Sequence, residues 1–216
     1  MCAIFASCDK KQVAYLSDLN RNRGTSSYSI SCFREMAGKF TLFKTFKDLG
    51  EFPKDLNYLP TADYYICHVQ APTSGAVALN QIHPAQFSDF VLWHNGIINH
   101  NSLTNYAQYP SIRWDTALLV SHIKTAISIG GSLAEVLEWV EGSFACVLLD
   151  GNGEIKIFRN ALCPLYIDKD LNLSSVEFSN SNSVKDTCIY AIDPLKKSIK
   201  QIGTFKSRDS VYYMQE

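Results

Sequence analysis

Short apolar runs rich in β-branched and aromatic residues follow one another through the N-terminal half of the chain: CAIFAS at 2–7, VAYLS at 13–17, SYSISCF at 27–33, KFTLFKTF at 39–46, YYICHV at 64–69 and DFVLWH at 89–94. Bounded by polar and turn-forming residues, such runs predict strands. CAIFAS shows no polar alternation, which predicts a strand buried on both faces. The period then changes. In WDTALLVSHIKTAISI, 114–129, Thr116, Leu119, Val120, Ile123 and Ile127 fall on one face of a helix. Gly130 and Gly131 end it, and SLAEVLEWVE at 132–141 predicts a second helix with Ser132 and Glu135 as a capping box. SFACVLLD and EIKIFRN predict a hairpin whose turn carries Gly151, Asn152 and Gly153, with further strands at 164–168, 175–180, 188–192 and 198–203. Strands on both sides of a central helical pair suit two sheets with helices packed outside better than an alternating βαβ sheet.

At 216 residues the chain suits one domain, expected over 1–203, with a polar tail at 204–216. A net charge of −1 leaves no electrostatic footprint for nucleic acid or an anionic membrane. The longest apolar stretches are strand-sized, and no secretory signal opens the chain. Seven cysteines, an odd number without CxxC pairs, argue against a disulfide framework and a thiolate zinc site. The expectation is a cytoplasmic globular protein. Neither a phosphate loop nor a dinucleotide fingerprint is present, so no cofactor is expected.

Polar residues concentrate in HVQAPTSG at 68–75, NQIHPAQF at 80–87 and WHNGIINHNSL at 93–103, each within or directly after an apolar segment. That is where a rigid sheet presents side chains to a ligand. The series Met1-Cys2, Arg23-Gly24 with Ser26, HVQAPTSG, His83-Pro84, HNGIIN, WDTALL, EGSFA, RNALCPLY and EFSNS resembles, in order, the class II glutamine amidotransferase domain, a branch of the N-terminal-nucleophile hydrolases. The resemblance runs from Cys2 to about Ser181. It implies an α+β fold, a four-layer αββα sandwich of two stacked antiparallel sheets flanked by helices. The activity it implies is hydrolysis of the glutamine γ-amide.

In that reading Met1 is removed and Cys2 attacks through its thiol, with its own α-amine as base. An unperturbed α-amine titrates at roughly 7.7–8.0, close to working pH. Asn95 and the backbone N–H of Gly96 donate to the oxyanion; read alone, Asn-Gly is a turn signal. The resemblance assigns Asp115 to the substrate ammonium; on its own residues it is equally an N-cap of the following helix. Arg23 lies near the nucleophile by the resemblance and is otherwise a solvated loop arginine. Ser26 and Tyr28 depart from the family's continuation of that loop. Thr73 can donate a hydrogen bond to substrate, and His83 shapes the pocket wall or is a structural histidine. No metal site is expected from His83, His94 and His100, which lack carboxylates at suitable spacing.

The departure with most consequence is Gln70, where the family pattern has an arginine that grips the substrate carboxylate. Gln70 offers neutral N–H donors only, and a charge-assisted bond is worth about 1.5–3 kcal/mol. Three outcomes stay open: another cation such as Arg23 or Arg34 substitutes, the substrate is a different γ-glutamyl amide or small peptide, or activity is residual; a catalytically silent binding module of the same fold is the reading from another class. The residues after the last motif are too few for a synthase, so beside the small-molecule substrate the expectation is either a separate ammonia-acceptor enzyme as partner or simple hydrolysis.

Overall fold

The computed structural model describes residues 2–71, 78–103, 112 and 114–208. Residue 2 leads straight into β1 (Ala3–Ser7), where every position is buried. Helix α1 (Lys10–Asn20) and a 3-10 turn at Arg21–Arg23 follow, then β2 (Ser27–Met36), β3 (Lys39–Leu49) and β4 (Tyr64–Gln70). Next come β5 (Ala85–Phe87), β6 (Phe90–Ile98), α2 (Asp115–Ser128) and α3 (Leu133–Leu137). The chain closes with β7 (Gly142–Leu149), β8 (Ile155–Arg159), β9 (Tyr166–Ile167), β10 (Leu173–Ser174), β11 (Asn182–Ser183), β12 (Cys188–Asp193) and β13 (Ser198–Thr204).

These strands form two sheets, ordered β11-β9-β10-β1-β4-β2-β3 and β13-β12-β8-β7-β6-β5, antiparallel throughout. Strand alternation sorts their side chains into layers. Ile4, Ala6, Phe33 and Ile66 of the first sheet meet Val91, Trp93, Val147 and Ile157 of the second in the central core. On the outer face of the first sheet, Ala3, Phe5, Ile30 and Cys67 pack against Val13 and Leu16 of α1. On the outer face of the second, Leu92, Phe144, Cys146 and Leu148 pack against Leu118, Leu119 and Ile123 of α2 and Val136 of α3. The result is the four-layer α+β sandwich the sequence suggested.

Three elements differ from expectation. VAYLS is not a strand: it lies in α1, because Asp9 caps the helix by accepting from Lys11 N at 2.8 Å. Val13, Leu16 and Asn20 then turn one face to the sheet. Residues 175–180 form no strand either. The Ser174 hydroxyl takes Val176 N, and Ser181 Oγ takes Phe178 N at 3.0 Å, so local side-chain bonds replace a ladder. The helix after Ser132 is shorter than expected, although its capping box forms: Ser132 Oγ accepts from Glu135 N at 3.2 Å and Glu135 Oε2 accepts from Ser132 N at 2.7 Å. Residues 205–208, within the segment read as a polar tail, lie back on the fold. Phe205 is buried against Phe144 and Arg208 sits over the Trp139 ring. All seven cysteines are free thiols, and no helix among the described residues is long and apolar enough to cross a membrane.

Candidate active site

Strand β1 sits between β10 and β4, and its register pairs Ala3 with Val69. One step further, that register sets Cys2 opposite Gln70, and alternation turns both toward the gap between the sheets, on the side of Ile4 and His68. The Cys2 thiol donates to Ala71 O at 3.6 Å, and Arg23 Nε donates to Cys2 O at 3.0 Å. Arg23 arrives there because the next residue packs directly on β4. A Cβ on Gly24 would lie 2.6 Å from Gln70 N, so only glycine fits, and Ser26 N donates to Gln70 O at 3.0 Å. Burial pushes the Cys2 thiol above the ordinary cysteine value, with Asp115 adding to the rise and Arg23 opposing it. At neutral pH the group is a protonated thiol.

Across the gap, Asn95 and Gly96 are not a turn. Strand β6 continues through them, with Asn95 opposite Ala145 and Gly96 opposite Phe144. Gly96 has φ +137°, and a Cβ there would lie 1.9 Å from Ser143 O. The side chain of Asn95 is buried and faces the first sheet, where Nδ2 donates to Ser175 Oγ at 3.4 Å. Ser175 Oγ in turn accepts from Ile4 N at 3.0 Å. The two sheets are therefore joined by polar contacts beside Cys2, and β6 delivers an amide side chain and a glycine backbone to that join.

Asp115 is the first residue of α2, with Trp114 at the N-cap position. Its carboxylate accepts from Thr116 N at 2.7 Å and reaches across to accept from Ile98 N at 3.1 Å, so it binds the helix start to the end of β6. It also acts electrostatically on the Cys2 thiol, which puts an anion and the Arg23 cation within range of the same sulfur. His83 is buried; its Nε2 lies 3.1 Å from Thr116 Oγ1 and its ring stacks on His68 at 3.8 Å between centroids. It supports the site from behind Thr116. His83 and His94 both address the Thr116 hydroxyl. Thr73 lies outside the described residues. Arg34 is not brought to the site: it pairs with Thr41 toward the other end of β2 and lies over Phe43.

Sequence reasoning passed over His68, Thr116 and Ser175. His68 Nε2 donates to His94 O at 3.2 Å, and burial lowers its pKa to about 3, so it is neutral. Its signal was available, since a histidine two places before Gln70 shares its face of the strand. Ser175 carried none, because its partners lie on strands remote in sequence.

No family model matches the chain, and no curated protein matches it in sequence. Among solved structures it is similar to the glutamine phosphoribosylpyrophosphate amidotransferase from B. subtilis complexed with ADP and GMP, with 15% identity, a TM-score of 0.68 and coverage of 97% of this chain and 50% of that one. It is likewise similar to a structure described as the allosteric regulatory enzyme of purine biosynthesis, at 15% identity and TM-score 0.69 over the same shares of both chains. This chain thus spans about half the length of either protein. A glutamine aminotransferase class-II domain protein from Silicibacter pomeroyi matches at 9% identity and TM-score 0.46, too distant to bear on the fold. At 15% identity the likeness to the first two structures establishes the fold alone: this chain shares their architecture of two antiparallel sheets stacked between helices.

Proposed function

We propose that this protein hydrolyses the γ-carboxamide of glutamine, with Cys2 as nucleophile once cleavage before it frees its α-amine. The amine takes the thiol proton as sulfur attacks the γ-carbonyl. The tetrahedral oxyanion is held by Asn95 Nδ2 and the Gly96 N–H. Collapse breaks the C–N bond, the ammonium returns the proton, and ammonia leaves for an acceptor enzyme. Water then resolves the γ-glutamyl thioester to glutamate. Arg23 fixes the Cys2 carbonyl, and Asp115 receives the substrate ammonium.

The observation that supports this reading is the hydrogen-bonded link between Asn95 and the strand that follows Cys2. Asn95 is tethered through Ser175 to Ile4, two residues from the thiol and on the same face of β1. A thiol whose pKa burial has raised gains most from a base on its own residue. Mass spectrometry after incubation with a glutamine-mimicking diazoketone is the test: a chain lacking Met1 with one adduct on Cys2 is expected, and Cys2→Ala should be unlabelled and inactive. An unprocessed chain that turns over glutamine, or Cys2→Ala with parental turnover, refutes it.

A second reading, hydrolysis of another γ-glutamyl amide, is favoured by one feature. The neighbour set opposite Cys2 by the β1–β4 register is Gln70, which is uncharged. Parallel turnover of glutamine and of γ-glutamyl amides distinguishes the two.

A further inference from the structure

Asn95 and Gly96 are held by contacts on both sides of them. On the side of the first sheet, His68 Nε2 donates to the carbonyl of His94, the residue preceding Asn95, at 3.2 Å. On the side of α2, His94 Nδ1 lies 3.2 Å from Thr116 Oγ1, and Ile98 N, two residues past Gly96, donates to Asp115 Oδ2 at 3.1 Å. The Thr116 hydroxyl also donates to Asp115 Oδ1 at 3.3 Å and lies 3.1 Å from His83 Nε2. His83 stacks on His68. The contacts close a loop from β4 through the His68–His83 stack to α2, and back through His94 to β6. Thr116, His68, His83 and His94 are all buried, so water does not substitute for a lost member.

We propose that Thr116 is a positioning residue for the oxyanion site: through His94 and Asp115 it fixes the segment of β6 carrying Asn95 and Gly96. It does not itself touch substrate. The inference rests on the proposed amide hydrolysis and adds to it how the donors are aimed. Oxyanion donors act on charge that appears only in the transition state, and displacing reacting groups by an ångström costs about 10²-fold. An effect through them therefore falls on kcat, whereas an effect through Asp115 on a bound ammonium falls on KM.

The experiment is steady-state kinetics of the processed full chain with glutamine, or with whichever γ-glutamyl amide the parent prefers, alongside thermal unfolding. Thr116→Val keeps the shape and removes the hydroxyl; kcat is expected to fall by about tenfold or more with KM within about twofold. Thr116→Ser should restore kcat to within about threefold of the parent, a recovery that loss of packing alone does not give. If Thr116→Val does not fold, His94→Asn and His94→Leu make the same comparison, the first keeping a hydrogen-bonding group toward Thr116. Parental kcat in Thr116→Val or His94→Leu, or a rise in KM at constant kcat, overturns the inference alone. A parent that turns over no γ-glutamyl amide overturns the proposed function and this inference with it.

Discussion

Acid should weaken this fold well before its carboxylates titrate, because two histidines are buried neutral in the seam that holds the site. Burial lowers the pKa of His68 to about 3, with the His94 ring and Lys47 adding to the fall, and pushes His83 well below its ordinary value, with the His68 and His94 rings and Lys47 adding to it. In the unfolded chain both titrate near 6.5. A depressed folded pKa means that the stabilisation is fully present above about pH 6.5 and is lost as pH falls toward the folded value, because the unfolded state takes up protons that the folded state refuses. Each histidine then contributes a slope approaching 1.36 kcal/mol per pH unit. Between pH 7 and pH 5 this amounts to about 2 kcal/mol for His68, and His83 adds a loss of the same sign. About 2 kcal/mol is already a large share of a typical domain stability of about 5–15 kcal/mol. Urea unfolding at pH 7, 6 and 5, followed by tryptophan fluorescence, measures the slope. His68→Gln, whose amide can still donate to His94 O, should remove His68's part of it, about 2 kcal/mol between pH 7 and pH 5. A change below about 0.5 kcal/mol over that range would mean that the rings are protonated in the folded state, and the assignment of a neutral, water-free seam would be wrong.

Gly96→Ala places a Cβ against Ser143 O at a backbone φ of +137°, and the strain and overpacking should cost about 2–4 kcal/mol, read as a lowered urea midpoint, with loss of amide turnover. Gln70→Arg puts a planar cation beside Cys2; under the proposed function the KM for glutamine should fall roughly 10–100-fold, and an unchanged KM would show that position 70 does not meet the substrate carboxylate.

The hairpin at 142–159 and helix α2 were legible because each carries its own local code. Asp150 accepts from Asn152 N and Glu154 N inside the turn, and α2 shows its period over several turns. VAYLS misled because five residues are too few to separate periods of 2 and 3.6. The deciding signal was Asp9, an N-cap followed by the polar run that α1 turns outward. Residues 175–180 misled for the opposite reason, since serine hydroxyls took the backbone groups that a strand would have paired.

At the site, the sequence by itself determined the candidate residues: a cysteine at the head of a buried strand, Asn-Gly after an apolar run, and an acid at a helix start. These are local facts of residue type and spacing. Only the tertiary structure decided that Asn-Gly is strand and not turn, because the partner is β7, more than forty residues further along the chain. It also decided that Arg23 meets the Cys2 carbonyl while Arg34 does not, and that His68, His83, His94 and Thr116 form one buried system. Hydrogen bonds between strands and across layers depend on sheet order and register, which no local window encodes.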